Sequence, residues 1–254
     1  MDLTDSTAVV TGAGSGIGRA TANRLASAGA TVVVTDIDAE GGRETVDGID
    51  DAGDAAAFRR LDVTDRGAFG EVLDAVIDDH GSLDILVNNA GVGQPPTWLQ
   101  ETSIADRDHL FSVNIEGVWN GCHAGVPHML EQGSGAIVNV SSLAGQIGAP
   151  GLATYSMTKG AVLNFTRAVA TEIGPVGVRA NAVCPGFVDS DMVDEYFESF
   201  DDPEATRTNT IEQYPLRRLA RYEDVANAIA FLASDEAAFV TGHGLTVDGG
   251  FSAQ

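Results

Sequence analysis

Short runs of β-branched residues alternate along the chain with longer stretches in which apolar positions recur at a helical period. The runs predict strands at 8–11, 31–35, 56–60, 83–87, 136–141, 178–183 and 244–247, and the stretches between predict helices near 16–27, 39–49, 66–80, 104–130, 155–173 and 222–232. Strand–helix–strand alternation requires right-handed crossovers, so the expected fold is α/β: a single doubly wound domain around a mostly parallel sheet. No composition shift, linker or repeat divides residues 1–254. One segment, 187–215, carries aromatics, acids and a proline without a clean strand period, which predicts a substrate lid or binding loop.

Charge narrows the function classes. The net charge of -23 repels a polyanion and argues against nucleic acid. The acids are spread along the chain, a pattern that fits a surface adapted to high salt better than an acidic partner-binding tail. No apolar run is long enough to span a membrane, and residues 1–6 lack the basic and apolar regions of a signal peptide. Cys122 and Cys184 have no metal-ligand spacing and read as buried thiols of a cytoplasmic protein. Of the 14 basic residues Lys159 is the only lysine. A chain that otherwise uses arginine and keeps one lysine points to a position that needs an ammonium on a flexible stem.

The first strand runs into Thr11-Gly12-Ala13-Gly14-Ser15-Gly16-Ile17-Gly18 and then a helix. Such glycines let backbone amides approach a pyrophosphate at a helix N-terminus. Ile17 stands where a strict G-x-G-x-x-G has its third glycine, so the fit is to T-G-x-x-x-G-x-G. Asp36, at the end of the second strand, can accept from both adenosine ribose hydroxyls and would repel a 2′-phosphate, which favours NAD over NADP. Arg19 argues the other way but sits inside the helix start. Asp62-Val63 and Asn88-Asn89-Ala90-Gly91 end the third and fourth strands, so both border the crevice beyond the strand carboxyl ends. Tyr155 and Lys159 lie at i and i+4 and share a helix face. A free tyrosine is too weakly acidic to act as a base at neutral pH; a nearby ammonium favours its phenolate. A hydride transfer at an alcohol or carbonyl needs a proton moved at the oxygen, which a tuned tyrosine supplies. Ser142, at the end of the fifth strand, can donate to the same oxygen.

These motifs, with Asn114, Pro185-Gly186 and Asp248-Gly249-Gly250, make the whole chain resemble the short-chain dehydrogenase/reductase family. The resemblance implies a Rossmann-type sheet of about seven strands in the order 3-2-1-4-5-6-7. It implies that Tyr155 is the general acid/base and that Ser142, rather than Ser141, orients the substrate oxygen. It gives Lys159 the nicotinamide ribose and Asn114 a water in a proton relay. Asp62 would meet the adenine, Asn88 would line the cleft, and Val188 and Ser190 would meet the carboxamide. A homotetramer is the expected assembly, with the helices at 104–130 and 155–173 in one interface. Some relatives bind magnesium at the carboxyl terminus, which here is Gln254. A single carboxylate is a poor site unless subunits share it, so no metal is expected.

Candidate pocket residues are Gly93, Gln94, Ala144, Gln146, Leu152, Phe187, Met192 and Tyr196, none of them basic. A carboxylate or phosphate on the substrate would ordinarily meet an arginine. The expected substrate is therefore a neutral secondary alcohol, polyol or sugar. A 3-oxoacyl reductase, a sugar-acid dehydrogenase and a catalytically silent NAD-binding sensor or scaffold are the alternatives.

Overall fold

The computed structural model describes residues 1–253. Its seven strands are β1 (Thr7–Thr11), β2 (Thr31–Asp36), β3 (Ala56–Arg60), β4 (Ile85–Asn88), β5 (Gly135–Val140), β6 (Val178–Pro185) and β7 (Gly244–Val247). They form one sheet in the order β3-β2-β1-β4-β5-β6-β7, with every pairing parallel. The expected fold and strand order are thus observed. Parallel strands joined by crossover helices are covered on both faces, which is why β1 and β4 read as unbroken apolar runs and are buried throughout.

The helices are α1 (Gly16–Ala26), α2 (Ala39–Asp51), α3 (Arg66–His80), α4 (Ile104–Phe111), α5 (Gly117–Gln132), α6 (Ala153–Ile173), α7 (Asp191–Glu198), α8 (Pro203–Gln213) and α9 (Tyr222–Ala233). Successive side chains of a strand point to opposite faces. Val10, Val32 and Ile85 accordingly pack with Leu25 of α1 and Ile229 of α9 on one face. Val9, Val33 and Leu86 pack with Phe69 of α3, Met129 of α5 and Val162 of α6 on the other. No helix among the described residues is long and apolar enough to cross a membrane.

Two expectations need correction. The single helix predicted over 104–130 is α4 and α5 joined by a π turn at Ser112–Glu116, where the Gly117 amide reaches back to the Ser112 carbonyl. Close approach governs the glycines that follow. A Cβ on Gly117 would lie 2.7 Å from Val63, and one on Gly121 would lie 2.1 Å from the Asn88 amide oxygen. The 187–215 segment, expected as a lid or binding loop, forms the helices α7 and α8. Ser190 caps α7 by accepting from Val193 N, and Asp202 caps α8 by accepting from Ala205 N, with Pro203 in its first turn. Val193 and Phe197, one turn apart, bury the inner face of α7.

Candidate active site

At the exit of β1 the backbone makes a cradle whose tightness requires glycine. Gly12 and Gly16 have φ of 61° and 53°, the left-handed region that other residues rarely enter. A Cβ on Gly18 would lie 2.0 Å from the Gly12 carbonyl oxygen. The Asn89 side-chain amide donates to the Thr11 and Gly12 carbonyls at 2.8 and 3.0 Å, and the amides of Asn89 and Ala90 both donate to the Thr11 hydroxyl at 3.0 Å. These bonds tie the end of β4 to the turn. Helices α2, α3, α4, α7 and α8 each begin with a side-chain cap, whereas Ser15 gives none to α1. The first amides of α1 are therefore left for another acceptor, at the positive end of the helix dipole.

Asp36 stands over this turn, accepting from Gly14 N at 2.8 Å and Asp38 N at 2.9 Å. Its remaining lone pairs can accept from ribose hydroxyls. Arg19 folds back onto the Gly14 and Gly41 carbonyls and pairs with Glu44 at 3.0 Å, so its guanidinium is already engaged. Asp62 accepts from the Thr64 amide and hydroxyl, which hold its carboxyl below the usual range. The Val63 carbonyl accepts from Asn120 at 2.9 Å. The uncapped helix, glycine cradle and acid together fit a dinucleotide.

Asn88 does not line the cleft. Its amide donates to buried Asn139, which donates in turn to Thr166, so the side chain serves the sheet–α6 interface.

On the other side of β4, the exit of β5 faces α6. Lys159 is buried, and its ammonium donates to the Val140 carbonyl at 3.0 Å while lying 5.7 Å from the Tyr155 ring centroid. Burial pushes its pKa down to about 8. Tyr155 is pushed above its ordinary value by burial, with a hydrogen bond to the Ser142 hydroxyl pulling the other way. The sequence argument anticipated a phenol made more acidic by the ammonium. Burial outweighs the Ser142 hydrogen bond, and Nζ donates to the Val140 carbonyl. Ser142 also accepts from Ala144 N at 3.1 Å, which shapes the short turn Leu143–Gly145. Ser141 points inward and donates to the Lys159 carbonyl at 2.7 Å. The Asn114 side chain accepts from Val92 N at 2.8 Å and donates to Val92 O at 2.9 Å. It therefore fixes the strand exit at Gly91, where a Cβ would lie 3.2 Å from both Asn114 Oδ1 and Lys159 Nζ.

A cavity of about 250 Å³ opens beside Gly91, between Gly93, Gln94 and Pro95 on one wall and Met192, Glu195 and Tyr196 of α7 on the other. Gln94 Oε1 is buried there without a partner. Of the expected pocket residues, Gly93, Gln94, Met192 and Tyr196 line this cavity, and Ala144, Leu152 and Phe187 do not. Gln146 is turned to β7, accepting from Thr246 at 3.0 Å. The Phe187 ring packs on Tyr196 and Phe197 with centroids 5.0 and 5.7 Å apart, joining α7 to the end of β6. The Ser190 hydroxyl is occupied by the Val188 carbonyl and the α7 cap. Tyr222, which sequence reasoning passed over, comes within 3.5 Å of a Cβ built on Gly16 and so packs against the glycine turn. Only its place at the start of an otherwise ordinary helix was visible in the sequence. Gln254 lies outside the described residues. Among those described, no group of three or more His, Cys, Asp or Glu side chains is placed to hold a metal.

Comparison with known proteins places the chain in a family and agrees with its fold. A family model described as "Enoyl-(Acyl carrier protein) reductase" matches residues 12–252. The cis-4-hydroxycyclohexanecarboxylate dehydrogenase of Sinomonas cyclohexanicum is 44% identical over 97% of this chain and 96% of its own length. A 3-oxoacyl-(acyl-carrier-protein) reductase of Thermotoga maritima is 38% identical over 98% and 99%. The crystal structure of an NAD+-bound xylitol dehydrogenase superposes with a TM-score of 0.93 at 30% identity, covering 97% of this chain and 98% of that one. The chain belongs to the short-chain dehydrogenase/reductase family of oxidoreductases.

Proposed function

We propose that this protein is an NAD-dependent dehydrogenase that interconverts a neutral secondary alcohol and its ketone. The observation that carries the reaction is the convergence of Ser142, Tyr155 and Lys159 at the exit of β5, one strand beyond Asn89 and two beyond the glycine cradle. Asp36 over the Gly14 amide supports NAD, because a 2′-phosphate would meet a carboxylate while Arg19 is already engaged. Gly12, Ser15, Gly16, Ile17 and Gly18 would hold the pyrophosphate. Asp62, Val63, Ala90 and Gly91 would line the adenosine and ribose side, and Pro185, Gly186, Val188 and Ser190 the nicotinamide side. The bound dinucleotide supplies the hydride acceptor. As the phenolate, Tyr155 takes the hydroxyl proton of the alcohol at its phenol oxygen; as the phenol, it gives its proton to the carbonyl oxygen in the reverse direction. Because burial favours the phenol in the ligand-free site, oxidation gains as pH rises. Ser142 donates to that same oxygen and holds it beside Tyr155. Lys159 keeps a positive charge on the phenol's side of the site.

The substrate class rests on the cavity wall. It holds Glu195 and the amide of Gln94 and has no basic side chain, so a neutral hydroxylated ligand suits it better than a carboxylate. The similar proteins include one named for a ring alcohol that also carries a carboxylate and one named for a polyol, so ring alcohols with and without a carboxylate, and polyols, head the trial. The test is NADH formation in high salt with cyclic alcohols, polyols, sugars, sugar acids and hydroxyacyl thioesters. Turnover of neutral alcohols is expected. Preference for thioesters would support the 3-oxoacyl reductase reading, and no turnover with any of them would leave an NAD-binding protein without catalysis. Exposed Trp119 on α5 and Met157 on α6 support the homotetramer, which light scattering tests. The buried free thiols Cys122 and Cys184 suit a reducing cytoplasm.

A further inference from the structure

We infer that Tyr214 is a positioning residue for the nicotinamide end of the cofactor site, its hydroxyl fixing the peptide that joins Gly186 to Phe187. The inference rests on the proposed use of NAD. A dinucleotide anchored at the turn after β1 must reach across β4 to bring its reactive ring to Ser142 and Tyr155. The next strand along is β6, so the segment leaving β6 borders that ring.

Four hydrogen bonds clamp this segment. Gly186 N donates to Val247 O at 3.0 Å, Phe187 N to the Tyr214 hydroxyl at 2.9 Å, Ala220 N to Phe187 O at 3.0 Å and Asp189 N to Ala220 O at 2.9 Å. Three are backbone to backbone and would survive most substitutions. Only the bond to Tyr214 depends on a side chain. The peptide is planar and trans, so an N–H held by Tyr214 turns the Gly186 carbonyl to the opposite side. Without the hydroxyl the Phe187 N–H loses its partner and the peptide plane loses its orientation.

The structure seats Tyr214 firmly. It is 2% exposed, and its ring meets Phe251 at a centroid distance of 5.1 Å. A Cβ on Gly249 would lie 3.1 Å from its ring, and one on Gly186 would lie 2.8 Å from its hydroxyl. Asp248-Gly249-Gly250 thus forms the floor beneath a side chain that comes from the return leg of the lid. Tyr214 directly follows α8, so the lid and the segment beside the reacting ring share one anchor.

Tyr214→Phe removes the hydroxyl and keeps the ring. The experiment titrates wild type and variant with NADH and, separately, with ADP-ribose, which lacks nicotinamide, and records thermal unfolding. The expected result is a five- to tenfold rise in the NADH Kd, with the ADP-ribose Kd unchanged within twofold. Equal weakening of both ligands would mean general loosening, and no change in either would mean the bond is irrelevant; each overturns the inference. Gly186→Ala supplies a second route, because its methyl crowds the hydroxyl. It should also weaken NADH selectively, and part of that loss should return in the double variant with Tyr214→Phe. Additive losses would overturn the coupling. A wild type that binds no NADH refutes the proposed cofactor itself, whereas a wild type that binds NADH beside an unaltered Tyr214→Phe refutes only the role of Tyr214.

Discussion

The buried ammonium of Lys159 should destabilise the ligand-free fold by an amount that depends on pH, and Lys159→Met should remove that dependence. Burial lowers the lysine's pKa from 10.5 to about 8. The unfolded chain therefore keeps the proton up to about pH 10.5, while the folded protein releases it near 8. Between those values the unfolded state binds more protons, so raising the pH stabilises the fold. Each tenfold change in proton affinity is worth about 1.4 kcal/mol, so the fall amounts to roughly 3 kcal/mol at neutral pH. For a chain of this size, that corresponds to roughly 6–12 °C in Tm. The assay is thermal or urea unfolding of both proteins from pH 7 to 10.5 at fixed salt. Cys122 and Cys184, pushed up to about 12 and about 11 from an ordinary 9.0, work in the opposite sense at the upper end. The observable is therefore the difference between the two proteins. Lys159→Met also strands the Val140 carbonyl, which costs about 1–3 kcal/mol at every pH and leaves the slope alone. The variant should gain on wild type as pH falls from 10.5 to 8. A difference that stays flat across this window would refute the claim that burial penalises this ammonium.

Three further outcomes follow from the same geometry. Asp36→Ala should raise NADP use relative to NAD by at least tenfold in kcat/KM ratios; an unchanged ratio would show that this carboxylate does not select the cofactor. Ser142→Ala should cut turnover by about a hundredfold or more while leaving Tm nearly unchanged, whereas Ser141→Ala, which loses a buried bond to the Lys159 carbonyl, should lower Tm, and a reversed pattern would exchange their roles. Dialysis from molar to low salt should lower Tm by circular dichroism, because a net charge of -23 is then unscreened; a Tm that rises or holds would refute salt adaptation.

Most of the fold was legible because parallel strands covered on both faces leave unbroken Val and Ile runs between helical stretches. The limits appeared where tertiary contact overrides the local pattern. The π turn at Ser112–Glu116 sits inside a continuous helical period, and α5, which follows it, packs closely on Val63 and Asn88. Helices α7 and α8 left a weak signal because each is short, although Ser190 and Asp202-Pro203 were available as start signals. Within the site, Asn89 ties the end of β4 to the glycine turn, and Ser142, Tyr155 and Lys159 meet at the exit of β5. Asn88 joins neither group, because its neighbour Asn89 takes the turn and Asn88 points into the sheet. Contacts between segments far apart in sequence, such as Tyr214 with Phe187 or Tyr222 with Gly16, leave no periodic trace and had to come from the structure.

The role proposed for Tyr155 is to move the substrate proton in an NAD-dependent hydride transfer. Its most direct test is the rate of NADH formation by wild type and Tyr155→Phe, with the neutral alcohol that turns over fastest and with NADH affinity measured on the same preparations. The account predicts a loss of at least about a hundredfold in turnover with NADH affinity unchanged within twofold. A variant that retains turnover, or one that loses NADH binding in parallel, would contradict it.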